Sequence, residues 1–232
     1  MPLKRWIEHA GYAIEGILHA AKTQRHLRYH FYAAIAVLMF VFSIGVTRTE
    51  FLILSLAVII VLLAEMMNTA IEATVDILSP EKAEKARIAK DVAAGAVLIT
   101  SLGAAVMGAI VLYPYLGAFF SRGFTIAQHV GQDIAIIAFV LVLITVVLLK
   151  SYFGKGHPLS GGLPSGHAAL AFSVWTSITL ISENFYISAL AFLLALAVAA
   201  SRISKHVHHP FEVIAGGAIG AIITFALFRI FS

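Results

Sequence analysis

The sequence predicts an all-α integral membrane protein with an interfacial N-terminal helix followed by membrane-spanning helices. Of its 232 residues, 60% are hydrophobic and only 12% are charged, whereas a soluble domain usually carries roughly 25% charged residues. The apolar runs are as long as transmembrane helices and lack the strict alternation of barrel strands. The chain contains no cysteine, which excludes disulfides, thiol catalysis and thiolate metal ligands.

The first segment predicts an amphipathic helix that lies in the membrane interface. The first long apolar run begins only near Phe31, so no cleavable signal peptide is expected. Between Lys4 and Lys22 the apolar residues share one helix face, and polar residues follow at steps of three and four: Glu8, Tyr12, Glu15, His19 and Lys22. An interfacial helix has this pattern.

Seven apolar runs predict a three-span domain, a linker and a four-span domain. They lie at 31–47, 51–78, 91–113, 133–150, 167–182, 186–200 and 213–231. The segment 47–50 is a tight connection, and Ser79-Pro80 ends the second run because proline disfavours helix in the residue before it. Residues 114–132 contain Pro114 and are too polar to span comfortably. The predicted domains are therefore 1–113 and 133–232, joined by the linker 114–132.

The charge distribution predicts the orientation in the membrane. With the N-terminus inside, only Arg48, Arg122 and Arg229 of the 16 basic residues fall outside. Basic residues gather in cytoplasmic loops, so we expect the N-terminus inside and the C-terminus outside. The excess of basic residues in cytoplasmic loops also explains the net charge of +4. The sequence has no basic face interleaved with aromatic residues, so no nucleic-acid partner is expected.

The second apolar run carries a polar stripe, which predicts a functional site because an ionisable group inside a span is costly. The spacing of three, four and four residues places four side chains on one helix face: Glu65, Asn68, Glu72 and Asp76. Lys90 and Asp91 open the third run. Carboxylates and an amide near a lysine suit a magnesium–phosphate site. A polar seam between packed helices and an ion pathway are the alternatives that spacing leaves open.

These residues carry a resemblance to a known family. The segments AEMMNTAIEATVD (64–76) and AKDVAAGAVL (89–98) closely resemble the prokaryotic diacylglycerol kinase and undecaprenol kinase family. Ala10-Gly11-Tyr12 and Arg28-Tyr29-His30 extend the resemblance over roughly 1–113. It implies a three-span kinase that faces the cytoplasm, uses MgATP without a Walker-type glycine loop, and forms a homotrimer with active sites shared between subunits.

The resemblance also implies residue roles in the kinase site. Glu65 would be the general base that activates a lipid hydroxyl, Glu72 would bind magnesium, and the nucleotide-binding residues would be Asn68, Asp76, Lys90 and Asp91. Gln24 stands where the family usually has a metal-binding glutamate. A neutral amide is a weaker ligand than a carboxylate, so we expect reduced or altered kinase activity. His30 resembles the undecaprenol kinase branch.

Three polar clusters in the second domain lie at span ends that face the same side. They are 150–158, 164–167 and 201–212. Lysine, arginine, a serine hydroxyl and a glycine amide can surround a phosphate, while one histidine attacks phosphorus and a second protonates the leaving oxygen. A zinc or copper site at His206, His208 and His209 is one alternative, and interfacial basic residues with incidental histidines are another.

The full pattern resembles the type 2 phosphatidic acid phosphatase superfamily over about 133–232. It comprises Pro164-Ser165-Gly166-His167, Ser201-Arg202, His208 and an acid four residues later. The resemblance implies a phosphohistidine mechanism without a metal cofactor, in which His208 is the nucleophile, Glu212 orients it and His167 is the general acid. The implied phosphate-binding residues are Lys150, His157, Ser165, Gly166 and Arg202. His206 and His209 fall outside the pattern and are expected to form walls of the site.

The second domain departs from the superfamily in three places. Glu212 stands where aspartate is usual, and His157 replaces an arginine, so one fixed charge becomes pH-dependent. The gap from Pro158 to Pro164 is also short. Lys155 is a candidate for the missing charge.

The sequence thus predicts a bifunctional lipid kinase and lipid phosphatase in the bacterial inner membrane, with both sites cytoplasmic. Phosphorylating diacylglycerol and dephosphorylating phosphatidate in one chain would be a futile cycle. Phosphorylating undecaprenol and dephosphorylating undecaprenyl diphosphate both yield undecaprenyl phosphate, so these substrates are favoured. The alternatives are a phosphatase of phosphatidate, phosphatidylglycerophosphate or undecaprenyl diphosphate whose kinase half is a trimerising scaffold, and a proton-relay or transport protein.

Overall fold

The computed structural model describes residues 2–79, 83–122, 126–153, 162–205 and 207–232, and every regular element in these ranges is an α-helix. The helices are α1 (Pro2–Thr23), α2 (Arg25–Ile44), α3 (Arg48–Leu78), α4 (Glu84–Arg122), α5 (Gly131–Phe153), α6 (Gly166–Ser182), α7 (Phe185–Ser204) and α8 (Pro210–Phe231). They form two units: α2, α3 and α4 within 24–127, and α1 with α5 to α8 in the described parts of 1–23 and 128–232.

The predicted class, an all-α membrane protein, is confirmed. In the described ranges six helices are long and apolar enough to cross a membrane: α2, α3, α4, α5, α7 and α8. The seventh predicted run corresponds to α6, which has 17 residues and is roughly 25 Å long, slightly less than a hydrocarbon core of about 30 Å. Each of the seven runs corresponds to one helix.

Several helix boundaries differ from the predicted runs: α2 begins at Arg25 rather than at 31, and α4 begins at Glu84 rather than at 91. Two further differences change the predicted connections. The helix α3 begins at Arg48 because Thr47 and Glu50 form a reciprocal capping box, with Thr47 N donating to Glu50 Oε2 at 2.8 Å. Most of the predicted connection is therefore the first turn of α3. The helix α4 continues through Pro114 to Arg122, so the linker begins as helix. The Tyr115 hydroxyl, which donates to Glu50 Oε2 at 2.7 Å, ties this extension to α3.

In the first unit α3 packs against both α2 and α4. The buried side chains of α2 include Leu27, Phe31, Ala34 and Leu38, which follow the three- and four-residue steps of one helix face. The helix α3 ends at Leu78 with Ser79 as its C-cap, as the proline at position 80 predicts. The helix that carries the polar stripe is therefore the one that contacts both of the others.

In the second unit close contact between α6 and α8 depends on two glycines. A Cβ on Gly216 would collide with the Ser165 carbonyl oxygen, and one on Gly220 would collide with the Ala169 carbonyl oxygen. Small residues four apart let helix backbones approach closely in membranes. Ser173 and Thr224 add a buried hydroxyl–hydroxyl hydrogen bond of 2.7 Å. The contact places the start of α8 directly beside the start of α6.

Candidate active sites

The polar stripe of α3 runs from a buried end to an exposed end. Glu65 is only 5% exposed, Asn68 and Glu72 are half-buried, and Asp76 is exposed. Asn68 Nδ2 donates to Glu72 Oε1 at 2.9 Å, while Asn68 Oδ1 is buried and has no hydrogen-bond partner among the described residues. Such an oxygen costs about 1–3 kcal/mol when unsatisfied, so this position suits a ligand that donates to it or coordinates it.

The helix α4 brings a cation to the exposed end of the stripe. Lys90 Nζ donates to Asp76 Oδ1 at 2.6 Å, which joins two residues that the family resemblance assigns to nucleotide binding. Asp91 instead pairs with Arg87 of its own helix, at 3.0 Å and largely in solvent. Exposed pairs of this kind contribute little stability, so Asp91 remains available to a ligand.

Gln24 lies at the N-cap of α2, and its side chain makes no capping hydrogen bond. Within the described residues no hydrogen bond joins this amide to the carboxylates of α3. The structure thus brings Lys90 to Asp76 and Asn68 to Glu72, and Gln24 takes part in neither pair.

The oxygen atoms of the stripe fit a hard cation. Carboxylate oxygens of Glu72 and the unpartnered Asn68 Oδ1 are the donor types that Mg²⁺ accepts. In the part of the chain that the structure describes, no group of three or more acidic or histidine side chains surrounds a common metal position. Mg²⁺ is commonly held by one or two carboxylates together with substrate phosphates, and the stripe matches that partial shell.

In the second unit the start of α8 holds a histidine–carboxylate pair. His208 Nδ1 lies 2.7 Å from Glu212 Oε2, and His208 is only 6% exposed. Glu212 also accepts hydrogen bonds from the backbone N–H of Gly162 at 3.0 Å and of His209 at 3.2 Å. With Nδ1 donating to this carboxylate, Nε2 of His208 carries the lone pair that a nucleophile needs.

His209 has a role that sequence reasoning missed. Its Nδ1 accepts from the backbone N–H of Phe211 at 3.4 Å, so the ring caps α8 together with Glu212. The signal was present: a polar residue, proline at the first helical position and an acid three residues after the cap mark a helix start. His209 therefore positions the backbone from which His208 projects.

The start of α6 contributes an unsatisfied donor. Ser165 is the N-cap of α6 but its side chain makes no cap hydrogen bond. Its Oγ is buried and has no partner among the described residues, while its backbone N–H donates to the Glu212 carbonyl oxygen at 2.9 Å. A free hydroxyl beside the first amides of a helix is suited to phosphate oxygens.

Cationic side chains from two further helices complete this end of the unit. Lys150, 7% exposed, lies in the last turn of α5 and interacts electrostatically with Glu212. Arg202, half-buried in the last turn of α7, donates through Nε to Ser201 Oγ at 3.3 Å. His167 is exposed and lies within electrostatic range of His208, Arg202 and Lys150. Four helices therefore meet here.

Some predicted residues lie outside the described ranges. They are Lys155, His157 and His206. The other members of the predicted phosphate site lie together: Lys150, Ser165, Gly166, His167, Arg202, His208 and Glu212. One of the three histidines of the alternative metal site is thus not described, and the other two direct Nδ1 to different partners, Glu212 and the Phe211 backbone.

Comparisons with known protein families match two separate parts of the chain. Residues 11–112 match the prokaryotic diacylglycerol kinase family, and residues 147–232 match the PAP2 superfamily. The first match covers most of α1, all of α2 and α3, and α4 up to Leu112. The second begins in the last turns of α5 and contains every described residue of the histidine site.

Curated relatives match the first half of the chain. A diacylglycerol kinase of Synechocystis sp. is 36% identical over 106 residues, which are 45% of this chain and 61% of that protein. An undecaprenol kinase of Bacillus subtilis is 34% identical over 114 residues, 49% of this chain and 93% of the relative. A diacylglycerol kinase of Escherichia coli is 30% identical over 113 residues, with coverages of 49% and 93%.

No solved structure matches the chain significantly. The two family matches nevertheless agree with the two candidate sites. The kinase-family match contains the α3 stripe, and the PAP2 match contains the histidine site. The chain belongs to the prokaryotic diacylglycerol kinase family and joins that lipid kinase domain to a phosphatase domain of the PAP2 superfamily.

Proposed function

We propose that this protein supplies undecaprenyl phosphate by two routes, phosphorylating undecaprenol with MgATP and removing the terminal phosphate of undecaprenyl diphosphate. The observation that carries the proposal is the presence of a kinase site and a phosphatase site in one chain. Acting on diacylglycerol and phosphatidate, the two would consume ATP without net product. Acting on undecaprenyl lipids, they form the same product. The undecaprenol kinase of B. subtilis among the relatives supports this choice.

In the kinase site we assign the chemistry to the α3 stripe. Glu65, at the buried end, accepts the proton of the lipid hydroxyl as its oxygen attacks the γ-phosphorus of ATP, and ADP leaves. Asn68 and Glu72 would hold the metal, Lys90 neutralises phosphate charge, and Asp76 orients Lys90. Mg²⁺, when bound, neutralises charge on the nucleotide phosphates. The gradient from buried Glu65 to exposed Asp76 supports a lipid hydroxyl at one end and a water-soluble nucleotide at the other.

In the phosphatase site His208 Nε2 attacks the terminal phosphorus of the lipid diphosphate. His167 donates a proton to the leaving oxygen, so the lipid monophosphate departs and a phosphohistidine remains. Water, deprotonated by His167, then attacks that phosphorus and releases inorganic phosphate. Glu212 stabilises the positive charge on the His208 ring. Lys150, Ser165, Gly166 and Arg202 bind the phosphate oxygens, and the unpartnered Ser165 Oγ supports this assignment.

Purified protein with labelled ATP and each lipid tests the proposal. We expect label transfer to undecaprenol in preference to diacylglycerol, and phosphate release from undecaprenyl diphosphate. Glu72→Ala should lower transfer by about 10²-fold or more because charge on the phosphates is no longer neutralised. His208→Ala should lower release by at least about 10³-fold because the nucleophile is lost.

Two outcomes contradict parts of this proposal. If wild-type protein labels neither alcohol and Glu72→Ala changes nothing, the bifunctional assignment fails. Phosphate release that survives His208→Ala contradicts the nucleophile assignment, since no intermediate could then form on that ring.

A second candidate is a phosphatase whose kinase unit serves as a trimerising scaffold. The observation in its favour is Gln24, a neutral amide at the N-cap of α2 that makes no described hydrogen bond to the α3 carboxylates. The Lys90–Asp76 pair and the unpartnered Asn68 Oδ1 favour an active kinase. Under both candidates we expect a homotrimer in the bacterial inner membrane.

A further inference from the structure

A small cavity lies among the three helices of the first unit. Its volume is about 180 Å³, and each helix contributes to its wall, with Ala34 from α2, Leu62 from α3 and Ala104 from α4. An apolar cavity of about 150 Å³ is large enough to bind benzene, so this one can hold a hydrocarbon of about six carbon atoms.

The cavity begins one helical turn from Glu65, the residue to which we assign the lipid hydroxyl. On α3 the cavity wall consists of Val58, Val61 and Leu62. Glu65 follows the last two at steps of four and three residues and therefore lies on the same helix face. The cavity is on the side of Glu65 away from Asp76, where the nucleotide is placed. One helical turn rises about 5.4 Å, so the carbon atoms next to a hydroxyl at Glu65 lie at the level of the cavity.

The wall of the cavity favours a hydrocarbon over a lipid ester. Seven of its nine described residues are apolar, and the other two are His30 and Ser101. The Ser101 Oγ is buried and has no hydrogen-bond partner among the described residues. A diacylglycerol carries ester groups on the carbons next to its free hydroxymethyl group, and ester oxygens buried here without enough donors would be costly. The carbon atoms that follow the hydroxyl of a polyprenyl alcohol form only hydrocarbon.

The cavity reaches the surface of the unit along α2. Ala33 and Val37 belong to its wall and are exposed, and their spacing of four residues places them on one helix face. The helix α2 is one of the candidate membrane spans. A chain that fills the cavity can therefore continue past these two side chains into the bilayer, as a long polyprenyl chain must.

We propose that this cavity binds the isoprene unit next to the hydroxyl of a polyprenyl alcohol, while the rest of the chain passes Val37 into the membrane. The inference rests on the kinase function proposed above and deepens it. It assigns isoprenoid alcohols as the substrate class of the kinase site and makes Leu62 and Ala104 determinants of substrate specificity.

Initial rates of the full-length protein in detergent micelles, with labelled MgATP and farnesol, test the role of the cavity. Ala104→Leu fills part of the cavity and should raise KM for farnesol by about tenfold, the effect of withholding about two CH₂ groups from an apolar site. The KM for MgATP should change less than about twofold, because the nucleotide lies on the other side of Glu65.

Two further variants separate loss of space from general damage to the helix. Ala105→Leu adds the same atoms at an exposed position of α4 and should keep the wild-type KM. Adding Leu62→Ala to Ala104→Leu returns volume to the cavity and should bring KM to within about threefold of the wild-type value, since volume-conserving exchanges are tolerated best.

Photolabelling tests binding without requiring phosphate transfer. The probe is a farnesol analogue with a diazirine in the isoprene unit next to the hydroxyl, added without ATP to wild-type protein and to Glu72→Ala. Mass spectrometry should find the label on α2 and α4 beside the cavity, at residues such as Ala33 and Ala104. Excess undecaprenol should suppress the labelling, whereas the same amount of dioctanoylglycerol should not.

Three results would overturn the inference. They are an unchanged KM for farnesol in Ala104→Leu, labelling only at exposed positions away from the cavity, and equal suppression by dioctanoylglycerol. If Ala104→Leu does not fold, the labelling of wild-type protein decides. If wild-type protein phosphorylates neither farnesol nor undecaprenol but is labelled at the cavity, the proposed kinase function fails and the binding site stands.

Discussion

At the scale of single residues, the Glu212 carboxylate forms hydrogen bonds with three groups. One oxygen accepts from the Gly162 N–H, and the other lies against both His208 Nδ1 and the His209 N–H. Three neighbours on different sides hold the carboxylate in place, which in turn sets the His208 ring. The extra methylene relative to aspartate gives the reach that this geometry uses. The departure from the superfamily at this position is therefore compatible with an intact nucleophile.

Gln24 provides a prediction for the kinase site at the same scale. Replacing it with glutamate restores a carboxylate at the family's metal position, and Mg²⁺ prefers a charged oxygen ligand to an amide. We expect Gln24→Glu to lower the Mg²⁺ concentration needed for half-maximal label transfer by about threefold to tenfold, equivalent to about 0.7–1.4 kcal/mol. A magnesium titration of initial rates measures the change.

Gln24→Ala serves as the control for this titration. Gln24→Ala should behave like the wild-type protein if the amide contributes little to metal binding. An identical magnesium dependence for Gln24→Glu and wild type would show that position 24 does not act on the metal in this chain, and would remove the argument for a weakened kinase.

At the scale of helices, the contact between α6 and α8 determines the phosphatase site. Gly216 and Gly220 bring the α8 backbone against α6, so the Ser165 N–H reaches the Glu212 carbonyl oxygen. The nucleophile precedes α8, and the predicted acid and phosphate ligands begin α6. Separating the two helices would therefore increase the distance between His208 and its partners in catalysis.

Gly220→Ala should separate these helices. The added Cβ would meet the Ala169 carbonyl oxygen and carbon, which are backbone atoms and cannot rotate away. We expect a loss of about 1–3 kcal/mol in stability and a fall of about 10²-fold in phosphate release, because small misplacements of reacting groups are costly. Thermal unfolding and phosphate release measure the two effects.

Gly108→Ala is the matched control, because a Cβ at this helical position of α4 meets no atom within 4 Å. Alanine in place of a helical glycine is neutral or slightly stabilising when space is free. Wild-type stability and phosphate release in Gly220→Ala would refute the close contact of α6 with α8.

At the scale of the whole molecule, the order of spans predicts that both sites face the cytoplasm. With the N-terminus inside, three spans leave the chain outside, and α5 returns it to the inside at Lys150. A reporter that is active only outside the cytoplasm, inserted near Ser160, should give no signal, whereas the same reporter after Ser232 should be active. The opposite pair of results would refute the cytoplasmic location of the phosphatase site.

Local spacing predicted which polar side chains share a helix face, because helical geometry is nearly independent of context. Glu65, Asn68 and Glu72 share a face for this reason, and His208 reaches Glu212 because residues four apart are neighbours where a helix begins. The capping roles of Thr47 and His209 were also readable from short motifs. The hydrogen bond that joins this extension of α4 to α3 was not, because it links Tyr115 to a residue 65 positions away.

Composition and helical period by themselves determined the class, the number of apolar runs and the common face of the α3 stripe, since these depend on chemistry within a few turns. Only the tertiary structure decided which elements meet. It left Asn68 Oδ1 and Ser165 Oγ buried without described partners, joined Lys90 to Asp76, and packed α1 against α5. Such contacts depend on which surfaces bury each other best, and an amphipathic face such as that of α1 does not specify its partner.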